Sequence, residues 1–479
     1  MIATVAINPE DPIGVIHPNI YGHFAEHLGW CIYGGIWVGE DSPIPNDGGF
    51  RQDVINALHR IKPSILRWPG GCFADDYHWQ DGIGPRQSRP RRINIHWGEV
   101  IEPNQVGTQE FVRFCRLIGA EPYICGNVGS GSPREMRDWV EYCNFPGEST
   151  LAQWRARDGS PEPLNVIYWG VGNENWGCGG NFSPEDYCTE FRRFASFLRG
   201  FGQQLFIIAC GPAGNDIDWT DRFFRKLRKD YWDFHNIHGF AAHYYCGTSG
   251  TATEYTTEQW YTLLNRGIEM EKLVLQQRAA MDAYDPQRKI GLIVDEWGTW
   301  HPVMPNTNPA FLHQQNTLRD AMVAANTLDI FNRHADKVVM ANIAQTVNVL
   351  QAMVLTRDDK MLVTPTGYVY ELYAPHQGAT SIRVRVETET ITYKNGGSKN
   401  SLPAVAGSAS LKQGKLFLTL TNSHVDQATE VRVKLLAGAR ARTESTRILS
   451  GEIHAHNTFD QPEVLQPVPF QLGAHGNEF

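Results

Sequence analysis

The chain has 479 residues, 42% of them hydrophobic and 20% charged, so a large core is available and one ordinary domain is too small to hold it. A formal net charge of −9 without any basic stripe excludes a nucleic-acid or anionic-membrane partner, and no run approaches the ~18 apolar residues of a membrane span. Nothing near Met1 has the basic start and long apolar core of a signal peptide, so a cytoplasmic protein is expected.

The first apolar alternation, Ala3-Val5-Ile7, is a short strand with no parallel partner near it, and residues 1–15 are expected to join a sheet formed elsewhere. From residue 16 to 378, short apolar runs alternate with amphipathic stretches, the pattern of parallel β/α units. Candidate strands end near Glu26, Pro69, Asn127, Glu174, Gly211, Tyr245, Glu296 and Gln345. Between them, Thr108 is placed to cap a helix whose face carries Phe111, Phe114, Cys115 and Ile118 and which stops at Gly119. Ser183-Pro184 opens another, with Tyr187, Phe191, Phe194 and Leu198 on its buried face. Arg86, Arg89, Arg91 and Arg92 lie in a Pro-containing loop without interleaved aromatics and read as ion-pair partners; Trp219, Trp232 and Phe234 read as core or interface. The fold class is α/β, a (β/α)8 barrel; a doubly wound sheet is disfavoured because no glycine-rich turn follows an early strand.

After residue 378 the period becomes two. Ile382, Val384 and Val386 alternate with charged neighbours, as do Leu416, Leu418 and Leu420, and later Val431 and Val433. Residues 379–479 are therefore expected to form an antiparallel, jelly-roll-like β-sandwich that also takes the N-terminal strand. The nine cysteines are odd in number and lack zinc-type spacing, so they read as reduced core thiols; no metal and no cofactor is expected.

The chemistry concentrates where two strands end in carboxylates. Ile167–Val171 runs into Gly172-Asn173-Glu174-Asn175, and Ile290–Val294 runs into Asp295-Glu296-Trp297-Gly298. Barrel enzymes work at the C-terminal ends of their strands, and carboxylates from strands four and seven face each other there. Such a pair suits glycosidic bond cleavage: carboxyls about 5–5.5 Å apart fit a retaining double displacement, and about 6.5–9.5 Å leaves room for an inverting water. Two rivals come from other classes. A metal-dependent hydrolase would need His23, His27, His235, His238 and His243 to converge at strand tips, and a non-catalytic sugar-binding protein would not need both carboxylates.

The order of motifs resembles the glycosidase clan in which the acid/base follows an asparagine at strand four and the nucleophile ends strand seven. More narrowly it resembles the family 51 α-L-arabinofuranosidases. The segments that carry the resemblance are Tyr21–Gly29, Leu66–Phe73, Gly172–Gly177, Val294–Gly298 and Met340–Leu350. The resemblance implies Glu174 as acid/base, Glu296 as nucleophile, and Asn173 as a partner of the hydroxyl beside the anomeric carbon. It implies that Tyr245 donates to Glu296, and that Glu26 and Gln345 hold furanose hydroxyls. Cys72 falls at a glycone-pocket position where many relatives carry asparagine, and a thiol is a weak hydrogen-bond partner.

Beside these, Arg67 is a candidate to orient Glu26 or Glu296, and His243 to touch the site. Trp97, Trp176 and Trp300 are candidates to stack on sugar faces. Asp75 and Asp76 are as well suited to loop capping as to sugar contact. The small-residued loop Cys246–Ala252 favours a closed pocket over an open cleft, hence exo action on terminal arabinofuranosyl groups of arabino-oligosaccharides and arabinoxylan fragments, with a family-51 endo-β-1,4-glucanase or xylanase as the alternative. A homo-oligomer, a hexamer, is implied by the resemblance alone.

Overall fold

A computed structural model describes residues 2–231, 234–472 and 475–478. Trp232 lies outside the described residues. The elements that position the site begin with strand β1 (Ile2–Val15), then β2 (Gly22–Phe24), β3 (Ile65–Trp68), β4 (Glu121–Gly126) and β5 (Tyr168–Val171). They continue with β6 (Phe206–Ala213), β7 (Gly239–Gly247), β8 (Gly291–Trp300) and β9 (Val338–Ala344). Strands β2 to β9 close into a barrel in chain order, and every neighbouring pair is parallel. Parallel strands covered by helices are buried on both faces, which is why these segments are apolar runs rather than alternating ones. Ile65, Tyr123, Ile208, Ala241, Ile293 and Met340 fill the barrel interior as one packed layer.

Seven of the eight expected strand ends fall inside the observed strands or within two residues of their C-terminal ends, and Glu174 lies three residues beyond Val171. The helix Thr108–Ile118 differs at its start. Gly107 is the capping residue, the Glu110 carboxylate accepts its N–H at 2.9 Å, and Thr108 opens the first turn with its hydroxyl turned to Trp139. Ser183 caps the helix Pro184–Ala195 as expected, accepting the Asp186 N–H.

The C-terminal part supplies β10 (Thr380–Glu387), β11 (Val405–Lys412), β12 (Lys415–Asn422) and β13 (Glu430–Leu435). With β1 they form a five-stranded sheet in the order β12-β11-β10-β1-β13. The N-terminal strand thus lies inside the C-terminal sheet domain, antiparallel to β10 and parallel to β13. That parallel pair departs from a wholly antiparallel domain; it arises because the strand enters from the far end of the chain and not through a hairpin. Val5, Ile7, Ile382, Ala409, Val433 and Leu435 are its buried apolar layer.

The helix Leu318–Arg333 docks this sheet on the barrel through polar groups. Asp329 accepts from Ser408 and Thr419 at Oδ1 (2.6 and 2.8 Å) and from Tyr373 at Oδ2 (3.1 Å), all in buried surroundings. The arginine loop behaves as read: Arg86 and Arg89 pair with Glu110, and Arg92 with Asp81. Trp219 is core, and Phe234 packs against it.

Candidate active site

Glu296 lies inside β8, close to its C-terminal end, and Glu174 follows β5, its backbone in the left-handed region at φ 43°. Oxygens of the two carboxylates and Nδ1 of His243 all lie within 4.8 Å of one another. The Glu296 side chain is nearly buried, and each of its oxygens has a donor: Arg67 at 2.8 Å on Oε1 and the Tyr245 hydroxyl at 2.9 Å on Oε2. Burial, with Glu174 beside it, pushes the Glu296 carboxyl up, and the His243 and Arg67 cations offset this only in part. Glu174 is more open, with 19% of its side chain exposed against 7% for Glu296.

His243, from β7, bridges the pair. Nδ1 is 2.9 Å from Glu174 Oε1 and 3.6 Å from Glu296 Oε2, and Nε2 is 3.0 Å from Asp295 Oδ1. Burial alone would lower this imidazole, but Glu296, Asp295 and Glu174 outweigh it and push it up to about 10, so it is an imidazolium at neutral pH. For Asp295, burial is likewise outweighed, by Arg67, His243 and Tyr123, and its carboxyl falls to about 2.

Arg67 ties three strands together. Besides Glu296 it donates to the Asn173 side-chain oxygen at 2.6 Å, and its guanidinium lies 4.7 Å from the Phe24 ring centroid. This fixes the Asn173 amide with its NH2 group directed away from the arginine. Asp75 accepts the Asn173 backbone N–H at 2.8 Å and those of Val128 and Gly129 at 2.8 Å or less, so it is a buried loop clamp with no solvation role. Asp76 is half-buried beside it.

On the opposite wall, Glu26 accepts from the Trp97 indole at 2.9 Å, the Phe73 N–H at 3.1 Å and the Gln345 amide at 3.2 Å. Burial and the nearby Glu296 push its carboxyl up to about 7. Gln345 Oε1 is buried without a protein partner, an acceptor left for a hydroxyl donor. Gly70 and Gly71 allow the close approach of this wall, since a Cβ at Gly70 would meet Glu26 Cγ at 2.7 Å and one at Gly71 would meet Glu296 Oε1 at 2.9 Å.

The structure thus brings Glu26, Arg67, Asn173, Glu174, His243, Tyr245, Glu296 and Gln345 to one mouth. Trp97 orients Glu26, Trp300 sets its ring edge-on to Tyr245 with centroids 5.1 Å apart, and Trp176 is partly buried against the core. Cys72 requires a correction. It is joined to Cys178 in a disulfide, so it is not a free thiol, while the other seven cysteines are free and buried as expected. The histidines of the metal-hydrolase reading do not converge. His27 pairs with Glu102, His238 accepts the Ile207 N–H, His23 is buried against Tyr370, and His235 is exposed ahead of β7, leaving only His243 of these five at the mouth.

Asp295, Tyr123 and Cys178 were missed as site residues. Strict alternation sends Asp295 to the face opposite Glu296. Between Ala241↔Ile293 and His243↔Glu296, however, β8 carries one more residue than β7, and this bulge turns both carboxylates inward. The adjacent Asp-Glu pair at a strand tip was the available signal. Nothing in the spacing of Cys72 and Cys178, 106 residues apart, announces their pairing.

A closed parallel barrel with two opposed carboxylates at its C-terminal mouth defines a glycoside hydrolase. Comparison with known families agrees: residues 57–257 match the model of an α-L-arabinofuranosidase 1 domain, and residues 295–479 that of an α-L-arabinofuranosidase C-terminal domain. The chain is 42% identical to an intracellular exo-α-L-arabinofuranosidase of Bacteroides ovatus, over 98% of this chain and 91% of that protein. The crystal structure of a family 51 arabinofuranosidase from Xanthomonas axonopodis pv. citri superposes with a TM-score of 0.93 at 42% identity, over 99% of this chain and 97% of that one. An α-L-arabinofuranosidase from Thermotoga maritima, solved as an arabinose complex, gives 0.84 at 32% identity over 100% and 97%. The chain belongs to glycoside hydrolase family 51, the α-L-arabinofuranosidases.

Proposed function

We propose that the protein is a retaining, exo-acting α-L-arabinofuranosidase that releases terminal non-reducing arabinofuranosyl groups from arabino-oligosaccharides and arabinoxylan fragments. The observation that carries the retaining mechanism is the separation of the two carboxylates, whose nearest oxygens lie within 4.8 Å. That closeness supports direct attack by one carboxylate, as in a retaining double displacement.

Glu296, held ionised by Arg67 and Tyr245, attacks the anomeric carbon. Glu174 gives its proton to the departing glycosidic oxygen, and a glycosyl ester forms on Glu296. Glu174, now a carboxylate, takes a proton from the incoming water, which attacks the same carbon and frees Glu296. The His243 imidazolium touches both carboxylates. It favours the ionised form of whichever carries charge, Glu296 before the first step and Glu174 after it. Asn173, turned by Arg67, donates to the hydroxyl beside the anomeric carbon, and Glu26 and Gln345 bind the remaining furanose hydroxyls.

The exo reading draws on the small-residued loop 246–252 and on the Bacteroides relative, which is named exo-acting. That relative is also named intracellular, and no helix of the described residues is long and apolar enough to cross a membrane; we place the enzyme in the cytoplasm, as a homo-oligomer.

The test is a comparison of two variants on substrates of graded leaving-group quality. Glu296→Ala is expected to lose turnover on all of them, by about 10⁴-fold or more. Glu174→Ala should retain the first step on aryl arabinofuranosides with an acidic phenol and lose it on natural oligosaccharides. Equal losses on every substrate in both variants would remove the role assignment.

A further inference from the structure

The double displacement uses no sulfur, yet two sulfurs border its proton donor. Cys72 opens the short helical turn after β3, and Cys178 lies four residues beyond Glu174. Their Sγ atoms sit 3.9 and 3.7 Å from Glu174 Oε2; joined to each other, neither has a proton to donate, so these are packing distances and not hydrogen bonds. Cys178 is exposed and Cys72 half-buried, so a solvent-borne reductant reaches the bond.

We infer that reduction of the Cys72–Cys178 disulfide opens a three-ligand site for a thiophilic divalent cation, made by both sulfurs and Glu174 Oε2, and that the disulfide masks this site. The three ligand atoms already lie within 4.8 Å of one another. A tetrahedral zinc-like ion with metal–sulfur bonds of about 2.3 Å and a metal–oxygen bond of about 2.1 Å places sulfur and oxygen about 3.6 Å apart and the two sulfurs about 3.8 Å apart. The sulfur–oxygen distances therefore need little change. The sulfur–sulfur distance opens once the bond is cut, between Cα atoms 5.6 Å apart. Two thiolates and one carboxylate select Zn²⁺ or Cd²⁺ over Mg²⁺ or Ca²⁺.

The steps balance with an external dithiol as reductant. Its two S–H groups close into a disulfide and supply two electrons and two protons, which break the Cys72–Cys178 bond and leave two thiols. Binding of the cation then releases both thiol protons to solvent. In a reducing compartment the dithiol form is the standing one. Loss of turnover on metal binding rests on the reading of Glu174 as proton donor; the binding itself does not.

The test uses Cd²⁺ on the full-length enzyme, oxidised and after dithiol reduction with the reductant removed. The reduced enzyme is expected to show a thiolate-to-cadmium charge-transfer band at one equivalent per chain, and the oxidised enzyme none. Cys72→Ser and Cys178→Ser should each lose the band, which separates this site from the seven buried thiols. Turnover of an unactivated arabinofuranoside by the reduced enzyme should fall at least tenfold with Cd²⁺ and return with a chelator, each variant being judged against its own metal-free rate. An equal band in the oxidised enzyme, or one that survives both serine variants, overturns the inference. A band that follows both cysteines while turnover is unchanged upholds the site and removes Glu174 from the donor role.

Discussion

His243 keeps its charge through Glu296 first and then through Asp295, which stands behind it 3.0 Å from Nε2, with Tyr123 holding the other Asp295 oxygen at 2.7 Å. The partners of the Asp295 carboxylate are His243, Tyr123 and Arg67, so its expected role is to position the site through the imidazolium. Asn in its place preserves an acceptor but removes the charge, and the His243 titration, held up at about 10 in part by that charge, moves down. For Asp295→Asn, kcat/KM is expected to fall progressively from about pH 6 to about pH 9, by about tenfold at the upper end, where the unaltered enzyme stays flatter. Paired pH–rate profiles measure this. A loss equal at every pH would mean that Asp295 serves packing alone.

Two elements shape the mouth, the turn after β3 and the bulge in β8. The turn brings backbone against both Glu26 and Glu296, a closeness that only residues without a Cβ permit. Gly71→Ala is therefore expected to displace Glu296 Oε1 and cut kcat by roughly 10²-fold, with thermal unfolding shifted far less. A variant that loses stability and activity in proportion would contradict this. These two elements also mark how far the sequence can be read. Strand tips were legible because a parallel strand buried on both faces is a plain apolar run, and the first polar pair after it, Asn173-Glu174 or Asp295-Glu296, marks the approach to the mouth. The bulge was not legible, because one extra residue in β8 leaves composition untouched while reversing the direction of Asp295. Nor was the disulfide, since cysteine pairing across 106 residues depends on where two loops meet in space. The roles of Trp97 and Asp75 were only half visible: their neighbourhood was right, but each orients protein groups, Glu26 in one case and the Asn173 backbone in the other.

At the scale of the whole molecule, the barrel and the sheet domain meet at a buried carboxylate. Burial raises Asp329 to about 6 from its ordinary 3.8, against the pull of Ser408, Arg333 and Thr419. The folded chain therefore holds a proton there that the unfolded chain releases between about pH 4 and pH 6. Stability from this group is present below that window and lost as pH rises through it. Asp329→Asn does not titrate, so its stability relative to the unaltered protein should rise by about 3 kcal/mol from pH 4 to pH 7. Unfolding experiments on both proteins across that range check it, and a difference that does not vary with pH would sink it. The place of β1 has a separate consequence. Val5 is flanked by Val386 on one side and Val433 on the other, so this early strand is a middle plank of a sheet whose remaining planks are translated much later. Until then both its edges are bare, and a nascent chain, or one cut before residue 380, carries an adhesive strand. The sheet thus works as a clasp, shut by strands that lie far downstream of the one they hold.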